Sequence, residues 1–334
     1  MSNLEGDELE AIPLMTSQLF ELICSDVVNG VICLFGVAFN VVNMIVFIKQ
    51  GFKDYMNISL LSLSVADTLA LLSQLWTCFN IKTLVQEALS HWYAVVYLAS
   101  SWPHVISIRV ISLLIVFITL ERYLCISLPL KIKSIITHKR TIVIIGFVYL
   151  FSILTAIPIY FACYVGPVID NETNISTMGL VYTEDGYRIE SAILSFGITA
   201  QLTSFIIVVI LTIALVQKFI QTTKWRLSTS SATMHDHVTK RDKSAVKMII
   251  LISTIYIVCY TPYFLLSLAM ACVKDFGATG KYQRLFNITT SLMFTADSIN
   301  SAVSIFVYYK MSTKYRNVFF SLLKGFSKTR MTKS

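Results

Sequence analysis

The chain has 334 residues, of which 55% are hydrophobic and only 14% charged, and its formal net charge is +8. A soluble protein of this length needs a polar surface that such a composition does not supply, so the soluble globular class is excluded. An integral membrane protein is indicated instead. Its basic excess suits contact with the anionic lipids of a bilayer, and we expect no nucleic-acid partner.

The predicted elements begin with an extracellular segment over residues 1–24. Residues 1–16 are acidic, and they lack both the basic start and the small-residue cleavage site of a signal peptide. We therefore expect the first span to act as an uncleaved signal anchor.

Seven apolar runs follow, each near or above the roughly 20 residues that a helix needs to cross a bilayer. They lie at 25–49, 57–80, 94–126, 141–165, 191–220, 243–273 and 284–309. A stretch at 312–325 places apolar residues at helical spacing with basic residues between them, which is typical of a helix on the membrane surface. The prediction is an all-α membrane protein, with a seven-transmembrane helix bundle over 25–309 and a short amphipathic helix and cytoplasmic tail over 310–334.

The connections between the spans differ in charge. One set, together with the tail, carries nearly all the lysines and arginines, whereas the other set is acidic. The positive-inside rule places the basic set in the cytoplasm and the N-terminus outside, as expected of a multi-pass protein of the plasma membrane. Two N-glycosylation sequons, at Asn171 and Asn174, fall in the loop 166–190 that this topology puts outside.

Charged residues mark the inner ends of spans 3 and 6, and a proline lies within span 6. Span 3 ends in the triplet Glu121-Arg122-Tyr123, and charges at the mouth of a span are costly unless they face the bundle interior or water. In span 6, Pro262 removes one backbone hydrogen bond and permits a kink. Asp242 lies 20 residues earlier, about 30 Å along a helix, which puts it level with Arg122.

Polar residues also lie within the apolar runs of spans 1, 2 and 7. Asp67 is an ionisable group deep in span 2, which makes it a functional candidate, and a protonated structural carboxyl is the alternative. The others are Asn40 in span 1 and Asn300, Ser304 and Tyr308 in span 7.

The order and spacing of these motifs resemble the rhodopsin-like (class A) G-protein-coupled receptors over roughly residues 25–325. The resemblance implies a receptor that binds an extracellular small molecule or peptide in the outer half of the bundle and activates a heterotrimeric G protein on the cytoplasmic face. It assigns the switch and G-protein coupling to Glu121, Arg122, Tyr123, Pro129, Asp242, Pro262 and Tyr308. It assigns the polar core to Asn40, Asp67, Asn300 and Ser304. A sodium ion near Asp67 is one hypothesis, and no other metal or cofactor is expected.

Two cytoplasmic features each have two interpretations. An acid at the position of Asp242 implies, by the resemblance, a resting lock on Arg122, whereas the alternative is a plain charge pair. The segment 221–242, predicted as the third cytoplasmic loop, is rich in serine and threonine. It is either a solvated loop or a region for kinases, arrestin and the G protein.

The sequence also departs from the family pattern. Spans 5 and 7 contain no proline, Tyr97 stands where the family usually has a cysteine, and the loop 166–190 has no cysteine. We therefore expect the usual outer disulfide to be missing. An unconventional pair remains open among the cysteines near outer helix ends, which are Cys24, Cys78, Cys163 and Cys272.

The predicted ligand residues are His104, Arg109, Tyr260 and Asp297. His104 takes the position where amine receptors carry an aspartate, so a monoamine ligand is not expected. Arg109 lies 13 residues before Arg122, about 20 Å towards the outside, and an arginine at that depth needs a partner. Either Arg109 pairs with Asp297, at nearly the same depth, or Arg109 and His104 receive an acidic group of the ligand.

Other function classes fit less well. Glycine-rich phosphate loops and the common hydrolase motifs are absent, so no enzyme is indicated. A seven-span transporter or channel is a remote alternative: a transporter would more often show inverted repeats, and the inverted seven-span ligand-gated channels place their N-terminus inside. A retinal protein needs a lysine in span 7, where residues 285–309 have none. Within the receptors, the sequence looks most like invertebrate, especially molluscan, chemosensory receptors or FMRFamide-type neuropeptide receptors. A chemosensory role is the first expectation and a neuropeptide receptor the alternative.

Overall fold

The computed structural model describes residues 14–79, 94–169, 176–229, 236–273, 276–277 and 281–331. Long helices form a bundle whose outer and inner ends are named here by the orientation predicted from the basic residues. The helices of spans 1 to 7 are Asn29–Gln50, Tyr55–Phe79, Trp102–Ser127, His138–Leu154, Gly186–Thr229, Asp236–Cys272 and Gln283–Ala302. Shorter helices are Leu14–Glu21, Ile132–Ile135, Ile159–Ala162, Ser304–Met311 and Thr313–Met331. Wider π-helical turns precede spans 1 and 3 at Leu22–Val28 and Tyr97–Ser101.

Spans 1 to 6 are long and apolar enough to cross a membrane. Span 7 is more polar, and its helix is interrupted at Val303 before it continues as Ser304–Met311. Large apolar side chains cover the outside of the bundle, as Val143 and Phe147 do in span 4, while Asn40 is fully buried. This inverted arrangement suits a chain whose solvent is lipid, and it confirms the predicted all-α membrane class.

Span 3 lies at the centre of the bundle, in contact with spans 2, 4, 5 and 6. Span 7 packs against spans 1, 2 and 6. Gly36 permits the close approach of span 1, because a β-carbon there would lie 2.8 Å from the Leu71 side chain and 2.9 Å from that of Ala302. The residues that span 3 carries can therefore reach most of the bundle interior.

A β-hairpin follows span 4. The sequence predicts instead that the span continues to residue 165 and is followed by a loop. Strand β1, Cys163–Ile169, pairs antiparallel with β2, Ser176–Tyr182. The helix of span 4 ends at Leu154, and Pro158, which has no backbone N–H to donate, lies in the turn that follows. Apolar composition alone did not distinguish the strand from the end of a helix. The sequons at Asn171 and Asn174 lie outside the described residues.

The predicted cytoplasmic loop over 221–242 is also mostly helical. Span 5 continues to Thr229 and span 6 begins at Asp236, so both helices extend beyond their apolar stretches. The segment between them contains neither glycine nor proline, the residues that most often end helices. Residues 230–235 lie outside the part of the chain that the structure describes.

The amphipathic helix forms as predicted, over Thr313–Met331, and its first turn is fixed to the bundle. The Tyr315 hydroxyl donates a 2.6 Å hydrogen bond to Asn43 Oδ1, and its ring contacts those of Phe47 and Tyr308. Burial raises the pKa of Tyr315. The helix is therefore an integral part of the inner end of the bundle.

Candidate functional site

The inner end of span 3 holds a buried ion pair between neighbours in the chain. Arg122 Nη2 lies 2.5 Å from Glu121 Oε1, and the guanidinium carbon lies 5.9 Å from the centre of the Tyr55 ring. Ser59 donates to the other Glu121 oxygen at 3.4 Å. These contacts hold Arg122 against spans 2 and 3, within reach of the cytoplasmic face.

Of the other predicted switch residues, Tyr123 packs against the core and Tyr308 is fully buried. Pro129 lies in the turn after span 3, and Pro262 lies within the helix of span 6. Asp242 falls on the first turns of span 6, but its side chain lies outside the description, so its contact with Arg122 stays a prediction.

A polar junction joins span 1 to span 7. Asn40 Nδ2 donates to the Gly36 carbonyl at 3.0 Å and to the Ser301 carbonyl at 2.8 Å. Asn43 Nδ2 donates to Ser304 Oγ at 3.2 Å, and that hydroxyl lies 3.4 Å from Asn40 Oδ1. The structure thus brings together two residues that the sequence assigned to the polar core, and adds Asn43 to them.

Asp67 borders a small cavity between spans 2, 3, 6 and 7. The cavity measures about 10 Å³, close to the space that one water needs. Asn300 and Ser304 line it with Asp67, whose buried Oδ1 has no hydrogen-bond partner among the described residues. Oxygen donors around a space of this size fit a small hard cation such as sodium. The sodium ion stays a prediction.

Three of the four predicted ligand residues meet at a second small cavity, nearer the outside. His104 from span 3, Tyr260 from span 6 and Asp297 from span 7 line it together. His104 and Asp297 are only 4% and 3% exposed. The ring of Phe294, one turn of span 7 nearer the outside, contacts the His104 ring edge-on, with 5.7 Å between the ring centres.

Arg109 lies apart from this cavity, and it does not pair with Asp297. Its Nη1 donates to Thr155 Oγ1 at 2.5 Å, and its guanidinium carbon lies 5.7 Å from the centre of the Phe196 ring. A β-carbon on Gly197 would lie 2.7 Å from Arg109 Nη2, so the glycine makes room for the guanidinium. The proposed Arg109–Asp297 brace is therefore not formed.

Helix geometry explains why Arg109 lies apart from the other three predicted ligand residues. His104 lies 18 residues before Arg122, about five whole turns, so both point the same way. Arg109 lies five residues after His104 and is rotated from it by about 140°. This rotation directs Arg109 towards Thr155 of span 4 and Phe196 of span 5.

Sequence reasoning missed a hydrogen-bonded triangle at mid-bundle, formed by Gln201 of span 5, Ser112 of span 3 and Tyr256 of span 6. Gln201 Nε2 donates to Ser112 Oγ at 2.7 Å, and the Tyr256 hydroxyl donates to the same oxygen at 3.0 Å. The Tyr256 ring stacks on that of Tyr260, with 4.3 Å between centres. Gln201 and Ser112 are isolated polar residues in apolar runs, and that was the available signal. Below the triangle, Thr119 and Ser253 share a 2.9 Å hydrogen bond between spans 3 and 6.

All seven cysteines are free thiols, so the structure contains none of the unconventional pairs. At the outer end of span 3, Tyr97 instead donates a hydrogen bond to Glu190 of span 5. Cys163, at the start of β1, is buried, and burial raises the pKa of its thiol. No cluster of three or more His, Cys, Asp or Glu side chains that could hold a metal is present among the described residues.

Two comparisons with known proteins agree with this geometry. The family described as 7 transmembrane receptor (rhodopsin family) matches the chain over residues 40–303. A QRFP-like peptide receptor from Branchiostoma floridae is 24% identical over 286 residues, which are 84% of this chain and 72% of that receptor.

Proposed function

Because the chain belongs to the rhodopsin family of seven-transmembrane receptors, we propose that it is a cell-surface receptor for a peptide, which it binds above His104, Tyr260 and Asp297. Coupling to a G protein is the function of this family, which consists of receptors rather than enzymes, and the chain is a multi-pass membrane protein. A peptide ligand is supported by the relative that is named a peptide receptor. The chemosensory role stays a prediction.

One observation carries the proposed signal path: contacts continue from the outer cavity to the inner end of the bundle. Tyr260 lines the cavity and stacks on Tyr256, which binds Ser112 in the triangle. One further step inward, Thr119 and Ser253 again join spans 3 and 6. A ligand that displaces Tyr260 would therefore loosen span 6 from span 3 along its length.

The inner end of the bundle contains a cavity that a movement of span 6 would enlarge. A cavity of about 360 Å³ lies between spans 1, 2, 6 and 7 and the start of the amphipathic helix, with Met248, Tyr308 and Tyr315 among its lining residues. Outward movement of span 6 about Pro262 would widen it for a G protein. Moving such an equilibrium from 1:99 to 99:1 takes roughly 5.5 kcal/mol of differential ligand affinity. The extracellular N-terminus, and kinase and arrestin contacts between spans 5 and 6, belong to the same proposal.

The experiment is G-protein dissociation in cells that express the receptor with a surface epitope, challenged with a panel of amidated and free-acid peptides. We expect activation by a subset of peptides, lost in Arg122→Ala at equal surface expression. Normal surface expression with no response to any peptide, or a response that survives Arg122→Ala, would contradict the proposal.

A second variant tests the path itself. Tyr256→Phe keeps the ring stack but removes the hydroxyl that joins span 6 to Ser112. Losing one buried hydrogen bond of about 1 kcal/mol should raise the active fraction of the unliganded receptor roughly fivefold. Thr254→Val is the matched control. Thr254 is exposed on the same helix, and its hydroxyl donates to the Ile250 carbonyl of that helix. Equal basal activity in both variants would remove the triangle from the path.

A further inference from the structure

The outer cavity is lined by polar atoms that no described residue pairs with. Among the residues that the structure describes, neither carboxyl oxygen of Asp297 has a hydrogen-bond partner, and neither has His104 Nε2, although all three atoms are buried. The two side chains come from spans 7 and 3 and line the same cavity. Buried polar atoms are normally paired, so three orphaned atoms at one place call for a missing partner.

The ring of His104 has a defined tautomer. Its Nδ1 lies 3.2 Å from the carbonyl oxygen of Ala70. A carbonyl can only accept, so Nδ1 must carry the proton of this bond. In the neutral ring, Nε2 then presents a lone pair to the cavity and acts as an acceptor. The cavity therefore offers an acceptor from His104 beside the two oxygens of Asp297.

We propose that this cavity binds a cationic, donor-rich group of the ligand, an ammonium or a guanidinium, with Asp297 as its counter-ion and His104 Nε2 as a second acceptor. The proposal rests on the proposed function in taking the outer half of the bundle as the ligand side. His104 takes the position where amine receptors carry an aspartate, and for this reason the sequence did not predict a monoamine ligand. In the folded chain, span 7 supplies that acid to the same cavity.

The cavity is too small for a water molecule in this structure, so a cationic group can enter only when the side chains around it move apart. The ring of Phe294 contacts that of His104 edge-on and is only partly buried, so it is one side chain that can move. Arg109, whose charge would repel a cation, points away towards Thr155.

The experiment uses the full-length receptor purified in lipid nanodiscs. The probes are benzylguanidinium and benzylurea, an uncharged analogue of similar shape. Dissociation constants are measured for both, and thermal unfolding is followed as a second readout. We expect benzylguanidinium to bind at least ~30-fold more tightly than benzylurea, a difference of about 2 kcal/mol. It should raise Tm in a concentration-dependent way. Equal affinities for the two probes would overturn the proposal.

Two matched variants locate the cation. Asp297→Asn should abolish the preference for benzylguanidinium, whereas Asp67→Asn, the same change at the neighbouring cavity, should preserve it. Loss of the preference in Asp67→Asn alone would place the cation at Asp67 and overturn the assignment. If Asp297→Asn does not fold, His104→Phe provides the second route, with a weaker but measurable loss of preference; an unchanged preference there would also count against the site.

Basal G-protein activation in the same nanodiscs separates this inference from the proposed function. If the wild-type receptor activates a G protein but shows no preference between the probes, the cation site is contradicted and the proposed function is not. A receptor that binds benzylguanidinium through Asp297 but never activates a G protein would instead contradict the proposed function.

Discussion

The Tyr97 hydroxyl donates a hydrogen bond to Glu190, and this contact joins the outer end of span 3 to the start of span 5. Tyr97 stands where the resemblance to class A receptors would place a cysteine. The hydroxyl of Tyr160 donates to the Leu98 carbonyl at 3.0 Å, which joins the short helix Ile159–Ala162 to the same outer end of span 3. Non-covalent contacts thus hold the part of the chain where a disulfide was missing.

We predict that Tyr97→Phe lowers the unfolding free energy by about 1.5–3 kcal/mol, as expected when a hydrogen bond to a charged group is lost. The measurement is thermal unfolding of the purified receptor. Tyr187→Phe is the control, because the Tyr187 ring stacks on Tyr182 and is largely exposed. Mild reductant should leave both proteins unchanged, and a drop in Tm on reduction would show that a disulfide forms after all.

At the inner end, we predict that Glu121→Gln raises basal G-protein activation several-fold, because Arg122 loses the carboxylate that holds it at 2.5 Å. Glu184→Gln, an exposed acid near the outer end of span 5, should leave basal activity unchanged. Asp242→Ala tests the predicted lock from span 6 in the same assay. A rise in Asp242→Ala without one in Glu121→Gln would show that span 6, and not the neighbouring acid, restrains Arg122.

For Arg109, we predict that Gly197 and Arg109 are energetically coupled. Replacing a helical glycine by alanine normally stabilises by about 0.5–1 kcal/mol, but here the new β-carbon would crowd Arg109 Nη2 and disturb its bond to Thr155. Gly197→Ala should therefore stabilise only when Arg109 is also changed to methionine. Gly146→Ala is the control, since a β-carbon there meets nothing within 4 Å and should stabilise in either background. Additive effects of Gly197→Ala and Arg109→Met on Tm would disprove the coupling.

For the cysteines, we predict that Cys272 reacts readily with a thiol reagent while Cys163 resists it, because Cys272 is exposed and Cys163 buried. Burial also raises the pKa of the Cys163 thiol, so its labelling should keep rising at pH values above ~8.5, where an ordinary thiol levels off. The folded state holds this proton more tightly than the unfolded state does. Its contribution to stability is therefore present below the ordinary thiol pKa and is lost as pH rises through the raised one. Mass spectrometry measures the labelling, and equal rates at both cysteines would refute the prediction.

The sequence predicted the fold well because hydropathy determines how many helices cross a bilayer. It also placed the amphipathic helix, since Tyr315 and Val318 recur at helical spacing. It did not predict the strand at Cys163–Ile169, because no charged residue separates this strand from the apolar span before it. The predicted spans 5 and 6 were also shorter at their inner ends than the observed helices. Charged residues can extend a helix beyond the lipid as readily as they form a loop, so the loss of apolar residues did not mark the helix ends.

For the site, the rise per residue predicts that Arg109 and Asp297 lie at nearly the same depth, but a contact between them also needs the right rotation about each helix axis. In the structure Arg109 bonds to Thr155, whereas Asp297 lines the same cavity as His104. The triangle of Ser112, Gln201 and Tyr256 was out of reach for a similar reason, since no spacing within one span shows which polar residue in another it will meet.

The interruption of span 7 at Val303 differs from one caused by a proline. A proline lacks the amide hydrogen that would complete the helix, so it cannot make the helix hydrogen bond at its position. Span 7 contains no proline. The residues on either side of Val303 are instead bonded to span 1, because the Ser301 carbonyl accepts from Asn40 and the Ser304 hydroxyl bonds to Asn40 and Asn43. A movement of span 7 at this point must therefore break hydrogen bonds to span 1, which ties the positions of the two helices to each other.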